Sequence, residues 1–130
     1  MDTISSAALT DSCPFCSDLE AVLSNEHAYA RYDKYPVASG HLLVITRRHL
    51  PDFFQTTWPE RRAMLTLIDH AKALLDEKYS PQGYNIGVNV GETAGQTVMH
   101  VHVHLIPRYA GDTPNPRGGV RGVIPARQCY

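Results

Sequence analysis

Three histidines alternate with valines in the stretch MHVHVHLIPR, residues 99–108. On a β-strand, His100, His102 and His104 would share one face, because side chains alternate between the two faces. The outer pair would then be about 13 Å apart, whereas two nitrogen ligands of one tetrahedral zinc are only about 3.4 Å apart. A single zinc held by all three histidines of a regular strand is therefore disfavoured.

Acid–base and nucleophilic catalysis is the second chemistry open to these histidines. Imidazole titrates near neutral pH, so it can attack, donate a proton or accept one. One histidine can attack phosphorus and hold a covalent phosphoramidate, while a neighbour fixes its tautomer or binds the phosphate oxygens. The remaining alternative is a polar strand face with chance histidines, which the strict alternation disfavours.

The histidine strand is predicted to form a β-hairpin with the preceding YNIGVNV, across the glycine-containing loop GETAGQTV. Burial requires the apolar faces of the two strands to coincide, because a slip of one residue would exchange the faces. The polar face then places three residues of the first strand beside the histidines: Asn85, Gly87 and Asn89. Glycine in that position leaves room for a ligand to approach the backbone.

A helix is predicted from about Trp58 to Lys78, and it begins at a T-x-x-E capping box formed by Thr57 and Glu60. Its apolar stripe at helical spacing consists of Met64, Leu67, Ile68, Ala71, Leu74 and Leu75. The sequence SPQG ends the helix, and HLLVITRR predicts another strand. One helix with mostly antiparallel strands gives the α+β class.

Composition limits the classes of function. The 130 residues predict one domain over residues 13–130, with a flexible N-terminus at 1–12 and an irregular Gly- and Pro-rich tail from about residue 110. The net charge of −1 gives no support for binding a nucleic-acid polymer, and no apolar run is long enough for a membrane. Three cysteines and the lack of a signal-like N-terminus indicate a cytoplasmic protein.

These motifs resemble the histidine triad family. HVHVHLI fits the signature His-φ-His-φ-His-φ-φ, in which φ is apolar, and AGQTVM before it, PRY after it and DKYPVASGHLLVITRRH at 33–49 are also similar. The resemblance covers the chain from CPFC onward. It implies a five-stranded antiparallel sheet with one long helix and short helical segments. It also implies a homodimer joined through the helix and an adjoining strand.

The resemblance further implies hydrolysis or transfer at the α-phosphate of a nucleotide, with no catalytic metal required. His102 would be the nucleophile, His104 would orient it and bind phosphate, and His41 matches a further active-site histidine. Asp33 matches the ribose contact. Three other residues match phosphate and leaving-group contacts: Asn89, Gln96 and Thr97.

The C-x-x-C pair has three interpretations. In relatives that carry a structural zinc, the matching ligands would here be Cys13, Cys16, His49 and His100. A redox pair is the second, but nothing before Cys13 supplies the strand of a thioredoxin-like unit. Two buried metal-free thiols are the third. Zinc is the favoured interpretation.

The branch of the family is indicated by QTVMHVHVHLIPR, which is closer to the dinucleoside polyphosphate hydrolases of the fragile histidine triad type. Arg117 and Arg121 in the tail are candidates to bind polyphosphate; a solvated tail or a dimer contact is an equal alternative. The leading hypothesis is therefore hydrolysis of dinucleoside polyphosphates to a nucleoside monophosphate. The alternatives are hydrolysis of nucleoside phosphoramidates, a slow-turnover nucleotide-binding signalling module, and a metal-dependent hydrolase.

Overall fold

Five antiparallel strands form the single sheet of the computed structural model, which describes residues 13–130. The strands are β1 (Leu23–Ser24), β2 (Ala28–Tyr32), β3 (Leu42–Thr46), β4 (Gly83–Val88) and β5 (His102–Arg108). Their order across the sheet is β1-β2-β3-β5-β4, so β4 is an edge strand. The expected α+β class and five-stranded sheet are confirmed. The first twelve residues, expected to be flexible, lie outside the described residues.

One long helix, α1 (Trp58–Tyr79), packs on one face of the sheet. The predicted capping box is present: the Thr57 side chain accepts from the Glu60 amide, and the Glu60 carboxylate accepts from the Thr57 amide. Arg48 also donates to that carboxylate and, as the main cause, lowers the pKa of Glu60 to about 2. The helix ends at Ser80, whose φ of 51° is left-handed. Short 3₁₀ segments cover Phe53–Gln55, Glu92–Ala94, Gly119–Val123 and Pro125–Arg127.

The central strand β3 is buried on both faces of the sheet. Leu42 and Val44 face α1, in apolar clusters that also contain its residues Met64, Leu67, Ala71 and Leu75. Leu43 and Ile45 point to the opposite face, where Phe15 and Tyr29 pack against them. The sheet therefore has one face covered by the helix and a second face covered in part by the Cys-x-x-Cys loop.

The β4–β5 hairpin has the predicted coincidence of apolar faces, with Ile86 opposite Leu105 and Val88 opposite Val103. Gly87 lies opposite His104, as the polar-face argument requires. The prediction was wrong for Asn85, which lies opposite Ile106, and its side-chain oxygen accepts a 2.6 Å hydrogen bond from Arg108. The predicted faces of the two strands are therefore confirmed, but Asn85 lies beyond the histidines along the strand rather than beside one of them.

His100 does not belong to the histidine strand, contrary to the expectation of three histidines on one strand. β5 begins at His102, and the chain bends before it, where the His100 amide donates to the Val98 carbonyl. The His100 ring is fully buried and its Nε2 donates to the Thr46 carbonyl at 2.6 Å. This separates the first histidine from the other two and directs it towards the cysteines.

Candidate active site

A cavity of about 510 Å³ opens on the sheet face opposite α1. Five residues predicted for the site line it together: Asp33, Asn89, Thr97, His102 and His104. The other lining residues, which the sequence did not reveal, include Phe15, Arg31, Leu43 and Val98. The cavity therefore combines imidazoles with an aromatic ring, aliphatic side chains and a guanidinium.

His102 has a fixed tautomer. Its Nδ1 lies 2.7 Å from the His100 carbonyl oxygen, and because a carbonyl only accepts, Nδ1 carries the proton. Nε2 then holds the free lone pair. Burial of the ring is the main effect on its pKa, which is lowered despite the hydrogen bond to that carbonyl. A neutral imidazole with an available Nε2 lone pair is a competent nucleophile.

His41 and His104 form a hydrogen-bonded relay beside His102. The Val37 amide donates to His41 Nδ1 at 3.2 Å, so the proton of neutral His41 is on Nε2. That Nε2 lies 2.9 Å from His104 Nδ1, which must accept, and His104 therefore carries its proton on Nε2. Asp33 Oδ2 lies 3.4 Å from His41 Nε2 and reinforces the orientation. The relay leaves His104 as a hydrogen-bond donor beside the lone pair of His102.

Both relay histidines are held in the neutral form. Burial is the main cause that lowers the pKa of His104 to about 4, with repulsion from His102 and His41 added. Burial also lowers the pKa of His41, against the attraction of Asp33. At neutral pH the site therefore acts through oriented N–H donors and lone pairs rather than through imidazolium charge.

Stability should fall in mild acid because of this buried relay. The unfolded chain takes up a proton at His104 near pH 6.5, whereas the folded chain does so only near pH 4. The contribution of neutral His104 to the free energy of unfolding is thus fully present above about pH 6.5, and it is lost as the pH falls towards 4. We expect the urea unfolding midpoint to decrease over this range, and to decrease less for His104→Gln. An identical pH dependence in the two proteins would contradict the assignment.

Cys13, Cys16, His49 and His100 form a second cluster, behind the cavity wall. Their potential ligand atoms all lie within 4.8 Å of one another. His100 Nδ1 is 3.3 Å from Cys13 Sγ, 3.6 Å from Cys16 Sγ and 3.2 Å from His49 Nδ1. With Zn–N and Zn–S bonds near 2.1 and 2.3 Å, tetrahedral geometry places such atoms about 3.4–3.8 Å apart.

The donor set of this cluster fits zinc. The hydrogen bond from His100 Nε2 to the Thr46 carbonyl leaves the Nδ1 lone pair directed at the thiols, as a metal-bound histidine requires. Asp33, His41 and His104 also bring potential ligand atoms within 4.8 Å of one another. There, however, the His41 Nε2 proton lies between the groups, so that set fits a hydrogen-bond relay better than a metal site.

Gln96 is placed differently from the cavity-lining residues. Its side chain is buried and holds the loop before β5, accepting from the Gly91 amide and donating to the carbonyls of Pro51 and Val98. Its neighbour Thr97 faces the cavity. In this arrangement Gln96 shapes the loop that presents Thr97.

The two tail arginines lie over the ring of Tyr130, with Arg117 Cζ at 5.0 Å and Arg121 Cζ at 4.8 Å from its centroid. Arg121 also donates to the carbonyls of Arg127 and Gln128. Neither arginine is among the residues that line the cavity in the described part of the chain. Their expected contact with polyphosphate stays a prediction.

Phe15 lies between the cavity histidines and the Cys13, Cys16, His49 and His100 cluster. It lies between the two cysteines, is buried, and packs edge-on against His102 with ring centroids 4.9 Å apart. Tyr29 holds this loop by donating from its hydroxyl to the Phe15 carbonyl at 2.7 Å. The signal in the sequence was an aromatic residue inside the C-x-x-C motif.

Comparison with known proteins assigns the family. The HIT domain model matches residues 17–111, and the chain belongs to the HIT family. An uncharacterised HIT-like protein of Mycoplasma genitalium is 39% identical over 106 residues, covering 77% of this chain and 75% of that protein. The asymmetrical bis(5'-nucleosyl)-tetraphosphatase of Schizosaccharomyces pombe is 39% identical over 77 residues, 59% of this chain and 42% of that protein.

Solved structures agree with this assignment. A HIT family protein from Bacillus anthracis is similar with a TM-score of 0.73 and 35% identity, covering 78% of this chain and 77% of that one. A zinc-bound histidine triad protein from Mycobacterium smegmatis has a TM-score of 0.68 and 27% identity, with coverage of 86% and 78%. The chain is thus a member of a family of nucleotide hydrolases and transferases. Among residues 13–130, no helix is long and apolar enough to span a membrane.

Proposed function

We propose that this protein hydrolyses dinucleoside polyphosphates at the α-phosphate through a covalent nucleotidyl-histidine on His102. The observation that carries the proposal is the tautomer of His102, whose Nδ1 is bound to the His100 carbonyl so that Nε2 presents its lone pair. The fragile-histidine-triad-like motif and the relative that is named a tetraphosphatase support this substrate class.

The proposed reaction has two displacements. His102 Nε2 attacks the α-phosphorus, a P–N bond forms, and the bond from phosphorus to the bridging oxygen breaks. The leaving nucleoside polyphosphate keeps that bonding pair. The His100 carbonyl stabilises the positive ring that results, and the His104 N–H donates to a phosphate oxygen. Water then attacks phosphorus and loses a proton to the solvent, the P–N bond breaks with its electron pair returning to His102 Nε2, and nucleoside monophosphate leaves.

The other site residues have supporting roles in this proposal. Asp33, at the cavity wall, binds the ribose hydroxyls, and His41 fixes the tautomer of His104. Asn89 and Thr97 contact the phosphate and leaving group, with Gln96 acting through the loop that it holds. Arg117 and Arg121 bind the distal phosphates once their side chains leave the Tyr130 ring.

A structural zinc at Cys13, Cys16, His49 and His100 is part of the proposal. The ligand distances and the His100 tautomer support it, as does similarity to a zinc-bound family member. The zinc would tie the Cys-x-x-Cys loop to the strand that follows His100. The reaction itself needs no catalytic metal, and the cytoplasmic location expected from composition stays a prediction.

Rapid mixing followed by intact-protein mass measurement tests the proposed function. Wild-type protein mixed briefly with diadenosine tetraphosphate should gain a transient adduct of adenylate mass and release adenosine monophosphate. A parallel reaction with an adenosine phosphoramidate measures the competing activity. Turnover of the phosphoramidate alone would favour that class. Tight binding with neither adduct nor product from either compound would favour a nucleotide-binding module.

We also propose a homodimer formed through α1 and β4. The edge strand β4 leaves backbone groups available for a second copy, and Ile86 on it is 51% exposed beside the exposed α1 residues Trp58 and Leu65. Ile86→Lys should therefore shift the mass measured by light scattering from dimer to monomer. Leu19→Lys is the matched control, because Leu19 is exposed elsewhere. A wild-type monomer would refute the proposal.

A further inference from the structure

Arg31 is a buried charge in the wall of the nucleotide cavity. Its exposed fraction is only 4%, and it lies on the same face of β2 as Tyr29. Leu43 is opposite Arg31 on β3 and is itself opposite His104 on β5. Arg31 is thus two strand spacings, or about 9.6 Å, from the histidine strand. That separation suits a nucleoside lying across the sheet with its phosphate at the histidines.

The guanidinium of Arg31 is incompletely paired. Nη1 donates to the Pro14 carbonyl at 3.2 Å and Nη2 forms an ion pair with Glu20 at 2.6 Å. Within the described residues, the buried Nε has no hydrogen-bond partner. An unsatisfied buried donor is costly and uncommon in folded proteins. A bound ligand with an acceptor at this wall would supply the missing partner.

The surrounding surface suits a flat ring. Phe15, Leu43 and Val98 give the cavity aromatic and aliphatic walls beside Arg31, whose Cζ is 5.6 Å from the centroid of the Phe15 ring. If His102 attacks the α-phosphate, as the proposed function requires, the base of the bound nucleotide reaches these walls. The edge of the base nearest Arg31 then meets a group that only donates hydrogen bonds.

We propose that Arg31 determines base specificity and makes the site prefer 6-oxopurine nucleotides to adenine nucleotides. Guanine and hypoxanthine present two acceptors, O6 and N7, on one edge, whereas adenine replaces O6 with an amino donor. The acceptor edge of guanine or hypoxanthine accepts a hydrogen bond from the Arg31 N–H. The amino group of adenine would instead place a second donor against that N–H, and no hydrogen bond could form between them. This inference rests on the proposed function for the position of the base.

Binding of nucleoside monophosphates to the full chain tests this preference without requiring turnover. We expect calorimetry to show GMP and IMP binding at least about tenfold more tightly than AMP. IMP is informative because it keeps O6 and lacks the 2-amino group of guanine. In Arg31→Met, all three nucleotides should bind with similar affinity, because the donors are removed while side-chain bulk is kept.

Tyr29→Phe is the matched control, because it loosens the Cys-x-x-Cys loop without changing Arg31. It removes the hydroxyl bond to the Phe15 carbonyl and leaves the Arg31 guanidinium in place. We expect it to weaken GMP, IMP and AMP equally, so that their affinity ratios stay as in wild type. An Arg31→Met protein that keeps the wild-type ratios would overturn the inference, because Arg31 would then act only as a clamp on Pro14 and Glu20.

Two further outcomes separate this inference from the proposed function. Tight GMP binding with IMP as weak as AMP would overturn the inference, because the 2-amino group rather than O6 would be recognised. Hydrolysis of dinucleoside polyphosphates with equal affinity for AMP and GMP would also overturn it and would leave the proposed function standing. A 6-oxopurine preference lost in Arg31→Met, without any turnover, would support the inference and count against the hydrolase.

Discussion

Replacing His102 with alanine is expected to lower the turnover of diadenosine tetraphosphate by about 10⁴-fold or more, as loss of an attacking side chain does in other covalent catalysts. The reason is geometric: in this site the Nε2 lone pair of His102 is fixed by the bond from Nδ1 to the His100 carbonyl. The His104 Nε2 carries a proton instead, so it cannot take over the attack without a change of tautomer. Initial rates of adenosine monophosphate release measure the effect.

The control for this experiment is His70→Ala, which removes an exposed histidine of α1 far from the cavity. It should retain the wild-type rate. The His102→Ala protein should keep its circular dichroism spectrum and should still bind adenosine monophosphate, because Asp33 and the cavity walls are unchanged. A substantial steady-state rate in His102→Ala would remove this residue from the role of nucleophile.

Replacing Cys13 with alanine is expected to abolish stoichiometric zinc binding and to lower the melting temperature by roughly 10 °C or more. One of the four clustered ligands is then missing, and the loop of residues 13–16 loses its attachment to His49 and His100. Metal analysis of the purified protein and a thermal melt give the two readouts.

Cys129→Ala is the matched control, since Cys129 is exposed in the tail and does not belong to the group of potential zinc ligands. It should keep both the zinc content and the melting temperature. Zinc at the wild-type level in Cys13→Ala would exclude the four-ligand site. Zinc loss without any change of melting temperature would show that the metal does not stabilise the fold.

Periodic patterns in the sequence predicted the elements that carry the candidate catalytic histidines. The alternation of valine and histidine assigns His102 and His104 to one face of a strand, and the helical stripe with its capping box locates α1 to within one residue. Both features are local, because the side-chain period follows from backbone geometry. The family resemblance then supplied the roles, which spacing alone does not contain.

Apart from the grouping of Cys13 and Cys16 with His49 and His100, which the family resemblance supplied, contacts between distant segments could not be predicted from the sequence. The Cys-x-x-Cys motif pointed to Cys13 and Cys16, but the packing of Phe15 on His102 depends on how the N-terminal loop folds over the sheet. Arg31 lies in a strand of ordinary pattern, and only its burial beside the cavity distinguishes it. His100 lies outside the regular strand because its ring contacts the Thr46 carbonyl and the cysteine thiols, which come from elsewhere in the chain.

The burial of β3 on both faces has a consequence for how the protein tolerates variation. A strand covered on one face shows alternating sensitivity in a saturation mutagenesis profile, with every second position accepting polar side chains. All five residues of β3 are buried, between α1 on one side and the cavity face on the other. The profile should therefore show an unbroken run of intolerant positions from Leu42 to Thr46. Substitutions at alternate positions should be harmful for different reasons. Those at positions facing α1 should reduce expression of the protein. Those at positions facing the cavity should reduce activity while the protein still accumulates.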